Sequence, residues 1–505
     1  MIPIIPKNRT KLLAFNTISR ASSTIGIAII GIISLPLKLN YFGIEIFGLY
    51  QLVASVVQYL SKTDFGIGTT IKKYVPAMNV KKEYLELGRL IGFSLFFNFL
   101  LSLLIAGIII IIGHLSMNIF SLSSEDAKIF ESLAIILAFR IIIDRTLAIF
   151  PAFLEGMQRH FVVNAINLLI TGFDLLLILY IINAEGTIKE YVLYLTFTQV
   201  LFKILIMFCT KYSFGFFNIR AFKLEQIKDQ FIFSWNMTKS QIASLLQYES
   251  ARIILGLFTN PTTVGYFHVG EKIHNIVRQI LNQIFSSLMP LIAEKHAENN
   301  EKYIKKALFD GSRIVVSICF PVLLVLIFNS KAILRLWLGN EYTFLSLFAA
   351  LFLVPYFISL PSGIMSNSLI AKGNIKKYMN IKMIAAGLNV ITSIILVQFY
   401  GIWGVLFGVF IQSGLFNFYL YKDLFEKLRI APKKFIMEVI YPNIIPLIAT
   451  FFIIVLLNRL ITVKNIMELF LLLTIPVLIF YSLYFILNKN DFMFLKNLII
   501  KKQNK

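Results

Sequence analysis

Stretches of roughly 20 apolar residues, recurring from one end to the other, constrain this chain more than any other feature. A helix needs about 20 such residues to cross a hydrocarbon layer of about 30 Å. Runs of that length are predicted at 12–37, 43–68, 89–113, 129–154, 161–183 and 190–211, then at 231–257, 262–290, 312–333, 343–370, 378–399 and 401–421, and finally at 440–458 and 465–487. Composition agrees. Of 505 residues, 58% are hydrophobic, 48 are Phe and only 15% are charged. Such a chain cannot clothe a water-facing surface, whereas lipid accepts it. The expectation is an all-α integral membrane protein of about fourteen spanning helices. The basic stretch before residue 12 leads into a long apolar run without a small-residue cleavage signature, so that run reads as the first span rather than a signal peptide.

The net charge is +22. Its distribution points to topology and excludes a nucleic-acid surface, because Lys and Arg gather between apolar runs with no interleaved aromatic stripe. Alternate connections carry the charge: Lys72, Lys73, Lys81 and Lys82 after the second span, Lys302, Lys305 and Lys306 after the eighth, and Lys422, Lys427, Arg429, Lys433 and Lys434 after the twelfth. The intervening connections hold two at most. One miscounted helix would invert every later loop, so the bias predicts both termini on the cytoplasmic side of the inner membrane. The two cysteines, Cys209 and Cys319, lie inside apolar runs and read as small packed residues. No His, Cys or carboxylate spacing suggests a metal, and no cofactor is expected.

Two short patterns recur at one offset. Phe47-Gly48-Leu49-Tyr50 opens the second span, and Val264-Gly265-Tyr266-Phe267 opens the eighth. Gly156-Met157-Gln158-Arg159-His160-Phe161 follows the fourth, and Gly373-Asn374-Ile375-Lys376-Lys377-Tyr378 follows the tenth. The step along the chain from Gly48 to Gly265 equals the step from Gly156 to Gly373. Two matches between equivalent helices argue for a duplicated six-helix unit of parallel orientation. The expected organisation is a bundle at 1–215, a cytoplasmic linker at 216–230, a second bundle at 231–421, and a helix pair with a basic tail at 422–505.

A 6 + 6 + 2 arrangement with a Gly-aromatic pair opening helices 2 and 8 resembles the Wzx-type polysaccharide and O-antigen flippases of the multidrug/oligosaccharidyl-lipid/polysaccharide (MOP) exporter superfamily. The segment Phe42-Gly43-Ile44-Glu45-Ile46-Phe47-Gly48-Leu49-Tyr50 is similar to that family's start of helix 2. The resemblance implies two pseudo-symmetric bundles around a central cavity, alternating access, and an undecaprenyl-pyrophosphate-linked oligosaccharide as substrate. It also implies a monomeric transport unit working beside other polysaccharide-assembly proteins, and offers the last two helices as a groove for the polyprenyl tail. A lipid-facing scaffold accounts for that pair equally well.

Ionisable residues inside the expected spans carry the remaining information. They are Arg20, Lys62, Asp64, Arg140, Asp144, Arg145, Asp174, Lys203, Lys239, Glu249, Arg252, Glu271, Lys272 and Arg278. Each costs roughly 2.5–3.5 kcal/mol at mid-helix, so none is expected to face lipid. Some can satisfy one another: Arg140 with Asp144 and Glu249 with Arg252 share a helix face. Lys62 and Asp64, close to Lys72 and Lys73, read as interfacial. Cations nevertheless outnumber anions by nine to five. That surplus suits a pyrophosphate, which arginine grips bidentately. The expected substrate contacts are Arg145, Arg252 and Arg278, then Arg20, Lys239, Lys272 and Arg140. Asp174, Glu249 and Glu271 are the candidates for a coupling H+ or Na+, with structural pairing as the alternative for each. A polar band at Ser19, Ser22, Ser23 and Thr24 on helix 1, and another on helix 7, read as either a wet lining or interhelical packing.

Other classes fit less well. An ATP-driven pump would need a phosphate-binding GxxxxGK[ST] loop, which is missing from the sequence. A membrane polymerase or ligase would carry a large external loop with basic catalytic groups, and here those connections are short. A multidrug exporter of cations would favour an acidic cavity. A peptidoglycan-precursor (lipid II) flippase shares the pyrophosphate and the polyprenyl tail and stays open as an alternative. No enzymatic activity is expected.

Overall fold

The computed structural model describes residues 9–62, 65–214, 249–297, 301–371 and 375–488, with isolated positions at 238, 241–242 and 245–246. Among these residues the only regular structure is helical. In chain order the helices are α1 (Arg9–Ser61), α2 (Ile67–Lys81), α3 (Tyr84–His114), α4 (Ser116–Phe120), α5 (Ser124–Thr146), α6 (Ile149–Gly156), α7 (His160–Asn183) and α8 (Ile188–Phe214). There follow α9 (Ser250–Phe258), α10 (Pro261–Ala297), α11 (Glu301–Phe328), α12 (Ser330–Leu338), α13 (Ser346–Leu351), α14 (Tyr356–Ala371), α15 (Ile375–Tyr400), α16 (Ile402–Leu428), α17 (Pro432–Leu460) and α18 (Ile466–Leu487).

Among the described residues nine helices are long and apolar enough to cross a membrane, and ten if the bent pair Asn340–Leu351 and Tyr356–Gly363 forms one span. One of the nine, Ile18–Ser61, has 44 residues, about 66 Å of helix at 1.5 Å per residue. It is interrupted at Gly43, whose φ of 76° and ψ of 161° are not helical. Two expected spans therefore meet at this residue, with only glycine suited to its backbone. The expected spans left over are the fourth, seventh and eighth. The eighth lies within α10. The fourth is divided into α5 and α6 at Leu147 and Ala148, and most of the seventh lies outside the described residues. The chain is a multi-pass membrane protein. Its large exposed hydrophobics, among them Leu104, Phe139, Phe197, Phe399, Phe418 and Phe452, form a surface suited to lipid.

The chain divides into two compact units, 1–269 with 386–408, and 270–385 with 409–505. In the first, α3 packs along α5 and the first limb of α1 along α7. Beside them α2 repeats apolar residues every three or four positions. Its buried Ile67, Ile71, Val75 and Met78 therefore form one stripe. That stripe meets Phe150, Phe153 and Leu154 of α6 and Val163 and Ile166 of α7. Within this unit the duplicated glycines acquire a meaning. A Cβ on Gly48 would lie 2.0 Å from the Pro261 carbonyl oxygen, and one on Gly265 would lie 2.7 Å from the Ile44 carbonyl oxygen. The two motifs thus form one contact, in which the second limb of α1 meets the start of α10 backbone to backbone. Gly156 likewise sits against the backbone of Lys72, at 3.2 Å from its Cα; its repeat partner Gly373 lies outside the described residues.

In the second unit α11 is the central element. It packs on α14, α17 and α18, through a core that includes Leu308, Val316, Leu323, Leu360, Leu424 and Val439. The final pair, α17 and α18, lies side by side, and Phe451 of α17 packs edge-on against Phe328 of α11 with ring centroids 5.1 Å apart.

Candidate functional site: charged clusters in the first unit

A helix ends with carbonyl oxygens that have no partner within the helix and a partial negative charge. The end of α1 receives one cation and is followed by another. Arg145, in the last turn of α5 and 6% exposed, donates from Nη1 to the Ser61 carbonyl oxygen. The next residue, Lys62, pairs with Oε1 of Glu249. Glu249 is 6% exposed and stands at the N-cap of α9, where the helix dipole favours a carboxylate. Its other oxygen lies 3.8 Å from Nη1 of Arg252 on the same helix. Arg145, Lys62, Glu249 and Arg252 thus gather around the end of α1, which packs on both α5 and α9. The Lys62 side chain is 49% exposed and that of Arg252 10%, so the cluster is reachable from one side. Arg140 and Asp144 pair on α5 at 3.4 Å, as their spacing predicts.

A second cluster forms around Asp174 of α7. Lys38, on the first limb of α1, reaches its Oδ2 at 2.7 Å, and the Tyr191 hydroxyl of α8 donates to its Oδ1. The Lys38 ammonium also stands 5.3 Å from the centre of the Tyr191 ring. The Tyr50 ring packs edge-on against that of Tyr191, 6.2 Å away. This carboxylate has its charge balanced and both oxygens engaged, a satisfied polar core.

The other expected contacts are dispersed. Glu271 is buried and Lys272 and Arg278 half-buried, all on α10 within the second unit. On the same helix the His274 ring lies with Nδ1 3.1 Å from the Phe352 carbonyl oxygen and stacks on Tyr356 at 5.2 Å. Arg20 is exposed on α1. Lys239 and Asp64 lie outside the described residues, as does most of the helix 7 polar band. On helix 1 that band splits: Ser23 donates to the Asn164 carbonyl oxygen of α7 at 2.9 Å, Thr24 to its own helix at Arg20, and Ser22 is exposed.

Two participants are not evident from the sequence. Lys38 stands one residue beyond the expected end of helix 1, where a lysine carries no special signal; α1 continues past it to Gly43. Lys62 reads as interfacial, yet it holds a buried carboxylate on a helix 187 residues away. Among the described residues no group of three His, Cys, Asp or Glu side chains is arranged to hold a metal.

Comparison with known proteins follows the same line. Residues 13–296 match the family described as polysaccharide biosynthesis protein. A provisionally named O-antigen transporter of Shigella dysenteriae is 21% identical over 206 residues, which cover 41% of this chain and 51% of that protein. The chain thus spans about half the length of this curated relative. Among solved structures, the lipid II flippase MurJ in an inward closed conformation aligns over 96% of this chain and all of its own, with a TM-score of 0.70 at 19% identity. An inward-facing multidrug resistance MATE family transporter of the MOP superfamily aligns over 82% of this chain and 98% of its own, with a TM-score of 0.68 at 13% identity. At such identities the likeness is one of fold. The helical membrane class read from the sequence holds, the polysaccharide family match agrees with the resemblance stated there, and these relatives bear the names of transporters and flippases.

Proposed function

This chain belongs to the polysaccharide biosynthesis protein family, and from that premise we propose that it flips an undecaprenyl-pyrophosphate-linked oligosaccharide, such as an O-antigen, capsule or exopolysaccharide repeat unit, across the cytoplasmic membrane by alternating access. The observation that supports this reading is the meeting of Arg145, Lys62 and Arg252 with Glu249 around the end of α1. Charges are costly inside a bilayer, so cationic side chains gathered there are a functional-site candidate, and their chemistry suits an anionic head group. A pyrophosphate brings at least two negative charges and several oxygens that match guanidinium geometry. Arg145 is committed through one nitrogen to the end of α1, which fixes the direction of its guanidinium. Lys62 and Arg252 are the groups that exchange Glu249 for phosphate oxygens. Arg278, Lys272, Arg20, Lys239 and Arg140 are the further candidates for substrate contact on the sequence reading.

Both termini are cytoplasmic in this scheme, and the transport unit is a monomer that works beside other polysaccharide-assembly proteins. A coupling H+ or Na+ enters at a carboxylate. Glu249 fits that task because its charge is shared between two cations that the substrate also attracts. Asp174, held by Lys38 and Tyr191, and Glu271 are the alternatives.

Purified protein in liposomes loaded with a sugar-labelled polyprenyl-pyrophosphate oligosaccharide tests the proposal. Exposure of the label to an external glycosidase should be faster than in protein-free liposomes, and should depend on an H+ or Na+ gradient. Arg252→Ala and Lys62→Ala should each slow it about 10- to 150-fold, the equivalent of one charge-assisted hydrogen bond of about 1.5–3 kcal/mol. Undiminished flipping by both variants would refute the site. Acceleration with lipid II alone would redirect the reading to the peptidoglycan precursor.

A further inference from the structure

The second unit contains a cavity of about 790 Å³ between α14, α16 and the start of α17. Phe357, Ile358, Phe418, Tyr421 and Ile436 make its wall almost wholly apolar. Its polar edge consists of Lys422 and Glu426 on the last turns of α16. There the chain turns through Arg429, whose φ is +49°, and enters α17 at Pro432. The turn belongs to the connection after the twelfth expected span, placed on the cytoplasmic side by the charge bias.

The basic residues of this turn are not equivalent. Lys427 pairs with Asp423 at 3.0 Å and Lys434 with Glu438 at 3.7 Å. Lys422, Arg429 and Lys433 are exposed and, among the described residues, have no carboxylate within 4.0 Å. Among the residues lining the cavity, one carboxylate, Glu426, stands beside them. An apolar cavity that opens beside uncompensated cations at the membrane surface complements a molecule with an apolar chain and an anionic head. A zwitterionic lipid would leave the excess charge unanswered.

We propose that this cavity binds an acyl chain of an anionic phospholipid from the cytoplasmic leaflet, with its phosphate against Lys422 and its charge balanced by Arg429 and Lys433. The site belongs to the second unit and the Arg145–Lys62–Arg252 cluster to the first, so it does not depend on what the protein transports. It would tie the end of α16 and the start of α17 to the lipid composition of the membrane.

Native mass spectrometry of the full-length protein tests this, with phosphatidylglycerol and phosphatidylcholine of identical acyl chains offered in equal amounts. The protein should retain one phosphatidylglycerol in clear preference. Each charge removed should reduce that preference about fivefold, from roughly 1 kcal/mol per basic residue at an anionic surface. The variant K422Q/R429Q/K433Q, altered only at exposed side chains, should therefore lose the preference. Gly414 offers a separate probe, since it lines the cavity and a Cβ there meets no atom within 4 Å. Gly414→Phe should fill the space and abolish retention of the bound lipid without disturbing the fold. Equal retention of the two lipids by the unaltered protein, or undiminished phosphatidylglycerol on Gly414→Phe, would overturn the proposal. The measurement uses no glycan, so its failure and a failure of the flipping assay are separate results.

Discussion

Replacing Gly48 by Ala should loosen the first unit at one identifiable place. The added Cβ would stand 2.0 Å from the Pro261 carbonyl oxygen and 2.9 Å from the Gly265 nitrogen, whereas ordinary contacts begin at 3.4 Å. Both neighbours are backbone, so no rotamer change relieves the clash. The second limb of α1 and the start of α10 must move apart until the overlap with Pro261 is gone. Overpacking of this kind costs about 1–3 kcal/mol, equivalent to about 5- to 150-fold in an unfolding equilibrium. Heat inactivation of a large membrane protein is governed by a rate, so the assay is the half-life of the monodisperse peak in detergent at a fixed temperature. Gly48→Ala should shorten it markedly. Gly107→Ala is the control, because on α3 a Cβ meets nothing within 4 Å and alanine is the better helix former by roughly 0.5–1 kcal/mol. That variant should match or outlast the parent. Gly48→Ala combined with Gly265→Ala should cost less than the sum of the two, since the first displacement opens the gap that the second needs. If Gly48→Ala decays no faster than Gly107→Ala, the backbone-to-backbone contact is wrong.

Two further substitutions probe the break in α1 and the Asp174 cluster. Gly43→Ala meets no atom within 4 Å yet occupies a φ of +76° with ψ near 161°, so backbone strain alone should cost about 1–3 kcal/mol; a half-life equal to the parent's would remove the case for glycine at this break. Asp174→Leu leaves the Lys38 ammonium, only 12% exposed, without its carboxylate and should destabilise the protein by about 3–5 kcal/mol. Adding Lys38→Leu should recover most of that loss, and a double variant no better than the single one would show that the pair is not what matters.

Much of this molecule is legible one segment at a time. Apolar runs long enough to cross a bilayer, a charge bias that alternates between connections, and a repeated glycine-aromatic motif are local or periodic properties. They lead to helices and a membrane before any contact is known. The Arg140–Asp144 and Glu249–Arg252 pairs are equally local, because the helix itself brings residues three or four apart onto one face.

What the sequence does not reveal is long-range. Lys38 meets Asp174 across 136 residues and Lys62 meets Glu249 across 187. Neither separation leaves a periodic trace, and both lysines sit at the edge of an expected span, where snorkelling to water is the ordinary reading. The glycine motif shows the division most clearly. Its recurrence further along the chain is written in the sequence, but only the fold shows that the two copies press against each other. A missing Cβ signals that something comes close; which partner comes close depends on how helices far apart in the chain are packed together.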